Sequence, residues 1–424
     1  MLYYLIKPFI GIYSKVYFKK IYFTGLDKLP WDKPLILAAN HPTAFIDPII
    51  IGGNSFQGRN FLLRGDMFRK GKIVESILRS LKCIPIFRFR DGYAEMKKNQ
   101  AIMDYCYDLL GEGENLLILA EGVAKTEKRM RTIQKGPARM LFGAYEKHQR
   151  KDMALVPIGI NYTNPNQFRS IVYANFGTPI PITDFLEDHE KNPRKAIKRM
   201  TDRLSKEMRK QIIHIEKEED DELGTQLLKI AENTTKEKAF PRLSYQVSRL
   251  PDMWQLIEKV NTLPKEEKLT LKTKSNRYFN RLEQLHIKDV GIAQVAFANL
   301  GVFLALLVGL PAFIVGILGN IVPIKFGKYF AEKKANTVEF NSSLRLAFEA
   351  FSCMVYYLIL FILVLIFGSW WQVLTVILLP FFGHFSLQWL DFFKVWNEAR
   401  KAKALSKADF AELVAWRKEL ENGE

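Results

Sequence analysis

The chain has 424 residues, of which 48% are apolar and 25% are charged, and its formal net charge is +17. This length favours two or three domains, and the apolar content excludes a chain that is disordered throughout. The large positive charge predicts an anionic partner: nucleic acid, an acidic membrane surface or a phosphorylated substrate. Three cysteines far apart in the chain, Cys83, Cys106 and Cys353, indicate neither a disulfide framework nor a zinc site.

The first 24 residues are apolar and aromatic but contain Lys7, Lys15, Lys19 and Lys20. These lysines interrupt the segment too often for a membrane span, and without a small-residue cleavage site it does not resemble a signal peptide. Aromatic rings beside cations suit the headgroup region of a membrane. We therefore expect an interfacial, membrane-associating helix over 1–24, with a plain core helix as the alternative.

Short apolar runs alternate with helix-length stretches between residues 25 and 185. The runs are Leu35–Ala39, Asn60–Leu63, Cys83–Phe89, Leu116–Ala120, Ala154–Ile160 and Ile171–Phe176. The helix-length stretches are 68–81, 93–111 and 136–149. Strands that are separated by helices predict an α/β domain over 25–185, a mixed sheet with flanking helices.

A charged region and two apolar blocks follow this domain. Residues 186–289 combine many charges with apolar residues at helical spacing, which predicts solvated or bundled helices with breaks at three prolines. These prolines are Pro241, Pro251 and Pro264.

The two apolar blocks, 291–323 and 350–390, contain no charged residue. Each is longer than the ~20 residues of one membrane span. Breaks near their middles, at Gly309-Leu-Pro311 and Gly368-Ser-Trp-Trp371, predict a membrane helical hairpin over 290–323 and a transmembrane hairpin over 350–390. Two hairpins would keep the basic flanks and the tail, 391–424, on the cytoplasmic side. We therefore expect an integral membrane protein with the α/β domain on the cytoplasmic face; a soluble helical domain with a very apolar core is the alternative.

The stretch from Asn40 to Pro48, N-H-P-T-A-F-I-D-P, joins a predicted strand to a predicted helix. Asp47 suits the N-cap of that helix and Pro48 suits its first position. His41 and Asp47 would then face each other across one tight turn, as a general base and the acid that orients it. The alternative for these residues is an ordinary helix cap beside a packed histidine.

Two later strand ends carry further polar residues. Arg88 and Arg90 alternate at the end of one predicted strand, and Glu121-Gly122 ends another. Ligands of α/β sheets bind at the carboxyl ends of strands. Arginine binds phosphate through two hydrogen bonds and histidine can take a hydroxyl proton, so this edge suits a small phosphorylated alcohol. Surface ion pairing is the alternative for the two arginines.

Four blocks of the chain, in this order, resemble the motifs of the glycerolipid acyltransferase family over about residues 1–185. They are Asn40-His41…Asp47, Cys83-Ile-Pro-Ile-Phe-Arg88, Glu121-Gly122 and Val156-Pro-Ile158. The family includes glycerol-3-phosphate and 1-acylglycerol-3-phosphate acyltransferases. Two departures are present: five residues instead of four separate the histidine and the aspartate, and Val123-Ala124 replaces a Ser/Thr-Arg pair.

The resemblance implies roles for these residues. His41 would deprotonate the acceptor hydroxyl, which attacks the acyl thioester, and Asp47 would orient His41. Arg88, helped by Arg90, would bind the acceptor phosphate, and Lys125, Arg129 or Lys135 could replace the missing motif arginine. The implied substrate-binding residues are Asn40, Arg88, Arg90, Glu121, Gly122, Lys125 and Lys135.

The resemblance also implies an activity. The protein would move a fatty acyl group from acyl-CoA or acyl-carrier-protein to glycerol-3-phosphate or 1-acylglycerol-3-phosphate in phospholipid biosynthesis. No bound cofactor or metal is expected. The expected partners are membrane lipids and the acyl thioester donor, and acyl carrier protein is a partner if it carries the acyl group. Nucleic acid is not expected because no recognised binding motif is present. The alternative is a non-catalytic lipid-binding or membrane-shaping protein on the same scaffold.

Overall fold

The structure is a computed structural model that describes residues 2–54, 60–87, 97–234, 243–244, 249–335 and 337–422. These residues fall into two compact units. The first unit comprises Met1–Ile213, Pro241–Ser248 and Lys334–Leu346. The second comprises His214–Phe240, Arg249–Lys333 and Ala347–Glu424.

One mixed β-sheet forms the centre of the first unit. Its described strands are β1 Lys20–Thr24, β2 Leu35–Ala39, β3 Asn60–Arg64, β4 Cys83–Ile86, β5 Leu116–Leu119, β6 Ala154–Tyr162, β7 Ile171–Phe176, β8 Ile180–Pro181 and β9 Leu243–Ser244. The strand order is β4-β3-β5-β2-β6-β7-β1-β9, and β8 pairs with β6. The β6–β7 and β6–β8 pairs are antiparallel and the other described pairs are parallel, which confirms the predicted mixed sheet.

The central strands β2 and β6 are buried at every residue, as continuous apolar runs in parallel sheets usually are. The proline of the Val156-Pro-Ile158 block lies inside β6. The Pro157 carbonyl accepts the Gly177 N–H at 2.8 Å, so the proline nitrogen faces the same edge of the strand. On that edge the partner of β6 changes from β8 to β7, so a missing N–H costs no ladder hydrogen bond.

The helices of the first unit alternate with these strands along the chain. They are α1 Leu2–Tyr17, α2 Ile46–Asn54, α3 Lys72–Ser80, α4 Asn99–Gly111, α5 Gly136–His148, α6 Leu186–Lys191 and α7 Pro193–Arg209. Sequence analysis placed the end of the domain at residue 185, but the first unit extends to Ile213. The reason is that α7 is amphipathic and buries Met200 and Leu204 in the same core as Leu110 of α4 and Leu141 of α5.

The amino-terminal segment differs from the single helix expected over 1–24. Helix α1 ends at Tyr17, and β1 pairs in parallel with β7. Tyr17 and Phe18 are almost fully buried, whereas Ile12 is 63% exposed. The end of α1 therefore packs into the domain, and its association with a membrane interface stays a prediction.

The second unit is helical in its described part. Its helices are α8 Asp221–Thr234, α9 Leu250–Thr262, α10 Lys265–Gln284, α11 Asp289–Ala293, α12 Leu300–Lys334, α13 Val338–Phe367, α14 Trp370–Lys403 and α15 Lys407–Asn422. Helix α13 begins in the first unit and belongs to the second from Ala347 onward. Pro251 lies in the first turn of α9, and Pro264 directly precedes α10. Both prolines therefore mark helix starts, as proline's fixed φ favours; Pro241 lies outside the described residues.

Helices α12, α13 and α14 are each long and apolar enough to cross a membrane. Helix α13 ends at Phe367 and α14 begins at Trp370, at the break expected in the second apolar block. The hairpin expected over 290–323 is wrong, because α12 continues as one helix through Pro311. Proline removes one helical hydrogen bond but does not by itself reverse a helix. Gly309 allows close packing instead, since a Cβ there would lie 3.0 Å from Trp389 and 3.1 Å from Phe385.

Candidate active site

His41 and Asp47 form a hydrogen-bonded pair at the carboxyl end of β2. The distance from His41 Nδ1 to Asp47 Oδ2 is 2.9 Å. The His41 side chain is 12% exposed, and the Asp47 side chain is fully buried. The turn between them therefore accommodates its five residues and still brings the two side chains into contact.

The Asp47 carboxylate accepts three further hydrogen bonds. Thr43 donates its N–H to Oδ2 at 3.0 Å and its hydroxyl to Oδ1 at 2.7 Å. The Tyr162 hydroxyl, at the end of β6, donates to Oδ1 at 2.8 Å. The pKa of Tyr162 lies well above its ordinary value, mainly because the side chain is buried. The charge of Asp47 and the hydrogen bond to it raise this pKa further. Tyr162 is therefore a neutral donor that fixes the carboxylate.

Sequence analysis assigned Asp47 to the N-cap of α2, and the structure corrects this. Helix α2 begins at Ile46, so Asp47 lies in its first turn, and its oxygens accept hydrogen bonds from Thr43, Tyr162 and His41. Thr43 and Tyr162 were not predicted. The available signal for Tyr162 was an aromatic residue with a polar tip at the end of the strand that carries Val156-Pro-Ile158.

Asn40 was expected among the substrate-binding residues, but its side chain joins two strands. Its amide nitrogen donates to the Ile160 carbonyl at 3.0 Å, and its amide oxygen accepts the Ile160 N–H at 2.7 Å. Both polar groups are thus engaged by β6, and Asn40 is 6% exposed. Asn40 anchors the end of β2, directly before His41.

Glu121 supports the backbone of the same turn. Its two carboxylate oxygens accept the His41 N–H and the Arg131 N–H, each at 3.0 Å. Burial raises the pKa of Glu121, and these two hydrogen bonds offset part of the increase. Gly122 follows with φ of +72°, a left-handed conformation that favours glycine. Contact of Glu121 or Gly122 with an acceptor hydroxyl stays a prediction.

The basic loop after Gly122 is held against the His41 turn. Lys125 donates its N–H to the His41 carbonyl at 3.1 Å, and the Thr126 hydroxyl donates to the Pro42 carbonyl at 3.1 Å. Glu127 lies among the cations of this loop, with its carboxylate 2.7 Å from Lys125 Nζ and 3.7 Å from Arg129. The ammonium of Lys125 is therefore partly neutralised, although its side chain is 53% exposed.

Arg88 and Arg90 lie outside the described residues, so their phosphate-binding role stays a prediction. Lys135 is exposed and directly precedes α5. Two arginines that sequence analysis did not select line the cavity beside His41: Arg64, at the end of β3, and Arg139 on α5. Arg64 also donates two hydrogen bonds to Asp66, at 3.1 Å and 2.6 Å.

A cavity of about 790 Å³ opens beside His41 in the first unit. Its polar lining includes Arg64, Arg139 and the backbone of Gly122, and its apolar lining is larger. The apolar part includes Leu62, Ile86, Met103, Ile118, Met140 and Ile197. This combination can hold a charged group and an apolar chain next to one imidazole. Among the described residues, no group of three His, Cys, Asp or Glu side chains could hold a metal ion.

One wall of the cavity comes from a distant part of the chain. Thr337, Glu339 and Phe340 line it together with Phe45 of the His41 turn. The Phe340 and Phe45 rings meet edge to face, with centroids 5.4 Å apart. Sequence analysis gave this segment no role, because it lies between two apolar blocks and carries no recognisable motif.

Comparison with known proteins finds a family match over the part of the chain that holds the candidate site. The Acyltransferase family model matches residues 20–161, which hold the His41–Asp47 pair and Glu121. The chain is 30% identical over 117 residues to glycerol-3-phosphate O-acyltransferase 1 of Saccharomyces cerevisiae, over 27% of this chain and 15% of that protein. It is 30% identical over 97 residues to an uncharacterized acyltransferase of Schizosaccharomyces pombe, over 22% of this chain and 14% of that one.

Among solved structures, the chain is similar to the 1-acyl-sn-glycerophosphate acyltransferase PlsC from Thermotoga maritima. The likeness has a TM-score of 0.35 and 15% identity, over 48% of this chain and 78% of that one, which is too slight to establish shared details. The curated relatives are matched over a small part of their length. The family match includes the turn that carries His41 and Asp47 and the strands on either side of it, and residues 20–161 therefore form an acyltransferase family domain.

Proposed function

We propose that this acyltransferase moves a fatty acyl group from an acyl thioester to the hydroxyl of glycerol-3-phosphate or 1-acylglycerol-3-phosphate. The observation that carries the proposal is the His41–Asp47 pair, with His41 lining a cavity that also holds two arginines and an apolar wall. The related yeast protein is named for glycerol-3-phosphate as its acceptor, which supports the same substrate class here.

The pair can move a proton in a defined direction. Because Nδ1 of His41 faces Asp47, Nε2 is the nitrogen that accepts the proton of the acceptor hydroxyl. The hydroxyl oxygen then attacks the thioester carbonyl carbon. The tetrahedral intermediate expels the thiolate, and the imidazolium returns the proton to that sulfur. Asp47 stabilises the imidazolium during this cycle, and the steps need no acyl-enzyme.

The lining of the cavity supports the proposal for both substrates. Arg139 provides positive charge for the acceptor phosphate, and arginine suits phosphate because its planar fork donates two hydrogen bonds. One fork of Arg64 is already engaged by Asp66, so Arg64 contributes charge to the wall and not that pair of donors. The apolar wall provides room for the start of an acyl chain. Acyl-CoA and acyl-carrier-protein present the same thioester, so both remain donors under this proposal.

The test is a transfer assay with the protein purified in detergent. Radiolabelled acyl-CoA and acyl-carrier-protein are each combined with each of the two acceptors. We expect transfer in at least one combination and a loss of at least about 10²-fold for His41→Ala, because a positioned general base contributes this much or more. His148→Ala is the matched control, since that histidine contacts Asp108 at 2.9 Å on the surface. His41→Ala protein that keeps wild-type activity would contradict the assignment.

The membrane placement is part of the proposal. We propose that the α/β domain faces the cytoplasm, that α13 and α14 enter the bilayer as a hairpin, and that α12 lies along the interface. Residues 334–346, which follow α12, belong to the first unit together with the His41 turn. No described helix before α12 has the length and hydropathy of a span. The chain before α12 and the segment after it should therefore lie on the same face of the membrane. A single crossing by α12 would instead place its two ends on opposite faces.

Side-specific labelling tests the placement. Cysteines are introduced at Asn299 and Lys334, both exposed, in a chain whose three native cysteines are replaced. In sealed vesicles of known orientation, we expect a membrane-impermeant maleimide to label both positions from the cytoplasmic side. Labelling of the two positions from opposite sides would show that α12 crosses the membrane.

A further inference from the structure

The His41–Asp47 turn has backbone donors that its own residues do not satisfy. The first N–H groups of a helix have no partner within that helix and need a cap. At the start of α2 the nearest carboxylate, Asp47, is occupied by Thr43, Tyr162 and His41. The N–H groups of Ala44, Phe45 and Ile46 must therefore find acceptors elsewhere.

All three N–H groups find their acceptors in the first turns of α13, about 300 residues later in the chain. Ser343 Oγ accepts the Phe45 N–H at 2.9 Å and the Ile46 N–H at 3.2 Å. The Glu339 carbonyl accepts the Ala44 N–H at 3.2 Å. Ser343 is fully buried, so water does not compete for these donors.

The Ser343 cap fixes the residue next to Asp47. Asp47 directly follows Ile46, and its carboxylate reaches His41 across only that turn. A buried N–H without an acceptor is costly, so without the cap the turn would shift to find new partners. A displacement of about 1 Å in a catalytic group can cost about 10²-fold in rate.

We propose that Ser343 is a positioning residue for acyl transfer, which caps α2 from the first turns of α13 and holds Asp47 against His41. This inference rests on the proposed function. The catalytic turn is thereby completed by the same helix, α13, that continues into an apolar candidate span.

Ser342 provides a matched control beside Ser343. It is 1% exposed, and its hydroxyl has no hydrogen-bond partner among the described residues. Ser342→Ala and Ser343→Ala therefore remove the same atom from neighbouring buried positions, and only the second removes an acceptor from the turn. Ser343→Thr keeps the acceptor oxygen.

The experiment measures kcat, both KM values and the melting temperature of the full-length variants in detergent. We expect Ser343→Ala to lower kcat about 10- to 100-fold per folded molecule while each KM changes less than about threefold. Ser342→Ala should keep wild-type kcat, and Ser343→Thr should recover most of the loss. A purely structural serine would lower the melting temperature and leave kcat per folded molecule unchanged.

Two results would overturn the inference while the proposed function stands. One is wild-type kcat for Ser343→Ala, and the other is an equal loss of kcat for Ser342→Ala. Wild-type protein that transfers no acyl group to either acceptor would overturn the proposed function itself, and this inference with it.

Discussion

Two buried aspartates, one in each unit, have similar partners and different consequences. Asp47 in the sheet unit and Asp289 in the helical unit are both fully or nearly fully buried, and each accepts a tyrosine hydroxyl, at 2.8 Å and 2.6 Å. Burial is the main factor that raises the pKa of each tyrosine, Tyr162 and Tyr278. The two carboxylates therefore lie in comparable environments.

The difference lies in the cationic partner. Asp289 accepts a hydrogen bond from Arg417 Nε at 2.9 Å, and an arginine does not release its proton in proteins. Burial alone would lower the pKa of Arg417, but Asp289 and Glu421 raise it overall. Asp47 instead faces a histidine at the edge of a cavity, which can gain and lose a proton. A buried Asp–Tyr contact thus does not mark a candidate site by itself, and what distinguishes Asp47 is a titratable partner beside a cavity.

The largest expected effect separates the two aspartates by rate. Asp47→Asn should lower kcat about 10³-fold or more, because an amide neither holds the productive histidine tautomer nor stabilises the imidazolium. Asp289→Asn should leave kcat per folded molecule unchanged, since neither Asp289 nor its partners Tyr278 and Arg417 are among the described residues that line the cavity. Steady-state assays of both variants, normalised to folded protein, measure this. Equal losses of kcat would remove the distinction.

The second effect distinguishes the two aspartates by their contribution to stability. Asp289→Ala leaves the buried guanidinium of Arg417 without its main partner and should lower the free energy of unfolding by about 3–5 kcal/mol. Thermal and denaturant unfolding measure the loss. Lys274→Ala is the control, because its 3.3 Å contact with Glu419 is at the surface and should have little effect. An Asp289→Ala protein with wild-type stability would show that the buried pair contributes nothing net.

A smaller effect concerns the two tyrosines. Tyr162→Phe removes one of the four hydrogen bonds to Asp47 and should lower kcat about three- to tenfold. Tyr278→Phe removes the corresponding bond to Asp289 and should lower unfolding free energy by about 1 kcal/mol, without a change in kcat. Loss of kcat in the Tyr278 variant would contradict the comparison.

The smallest effect is a pH dependence of stability. Burial raises the pKa of Glu121 in the folded state above its ordinary value of 4.5. The folded state therefore holds this proton more tightly than the unfolded state, and the resulting stability is present below pH 4.5 and lost as pH rises through the folded pKa. In melting curves above pH 4.5, wild-type protein should lose stability relative to Glu121→Gln as the pH rises. A difference that stays constant would contradict the raised pKa.

Much of the fold follows from local patterns that the sequence shows directly. The six apolar runs predicted as strands correspond to β2 to β7, and the three predicted helices correspond to α3, α4 and α5. The short strands β8 and β9 have two residues each, which is too little for any periodicity. Helix α7 was assigned to the charged region because its polar face dominates the composition, although its apolar face completes the sheet core.

By itself, the sequence determined the place of His41 and Glu121 after strand ends, of Asp47 at the start of a helix, and the existence of long apolar helices, because these features depend on neighbouring residues. Only the tertiary structure decided which distant residues hold the His41–Asp47 turn in place. Tyr162 reaches Asp47 across 115 residues, and Ser343 reaches Phe45 across 298. It also decided that α12 is continuous, because Gly309 serves packing against Trp389 and not a turn. Partners this distant meet only when the sheet and the helices have packed, so no local pattern records them.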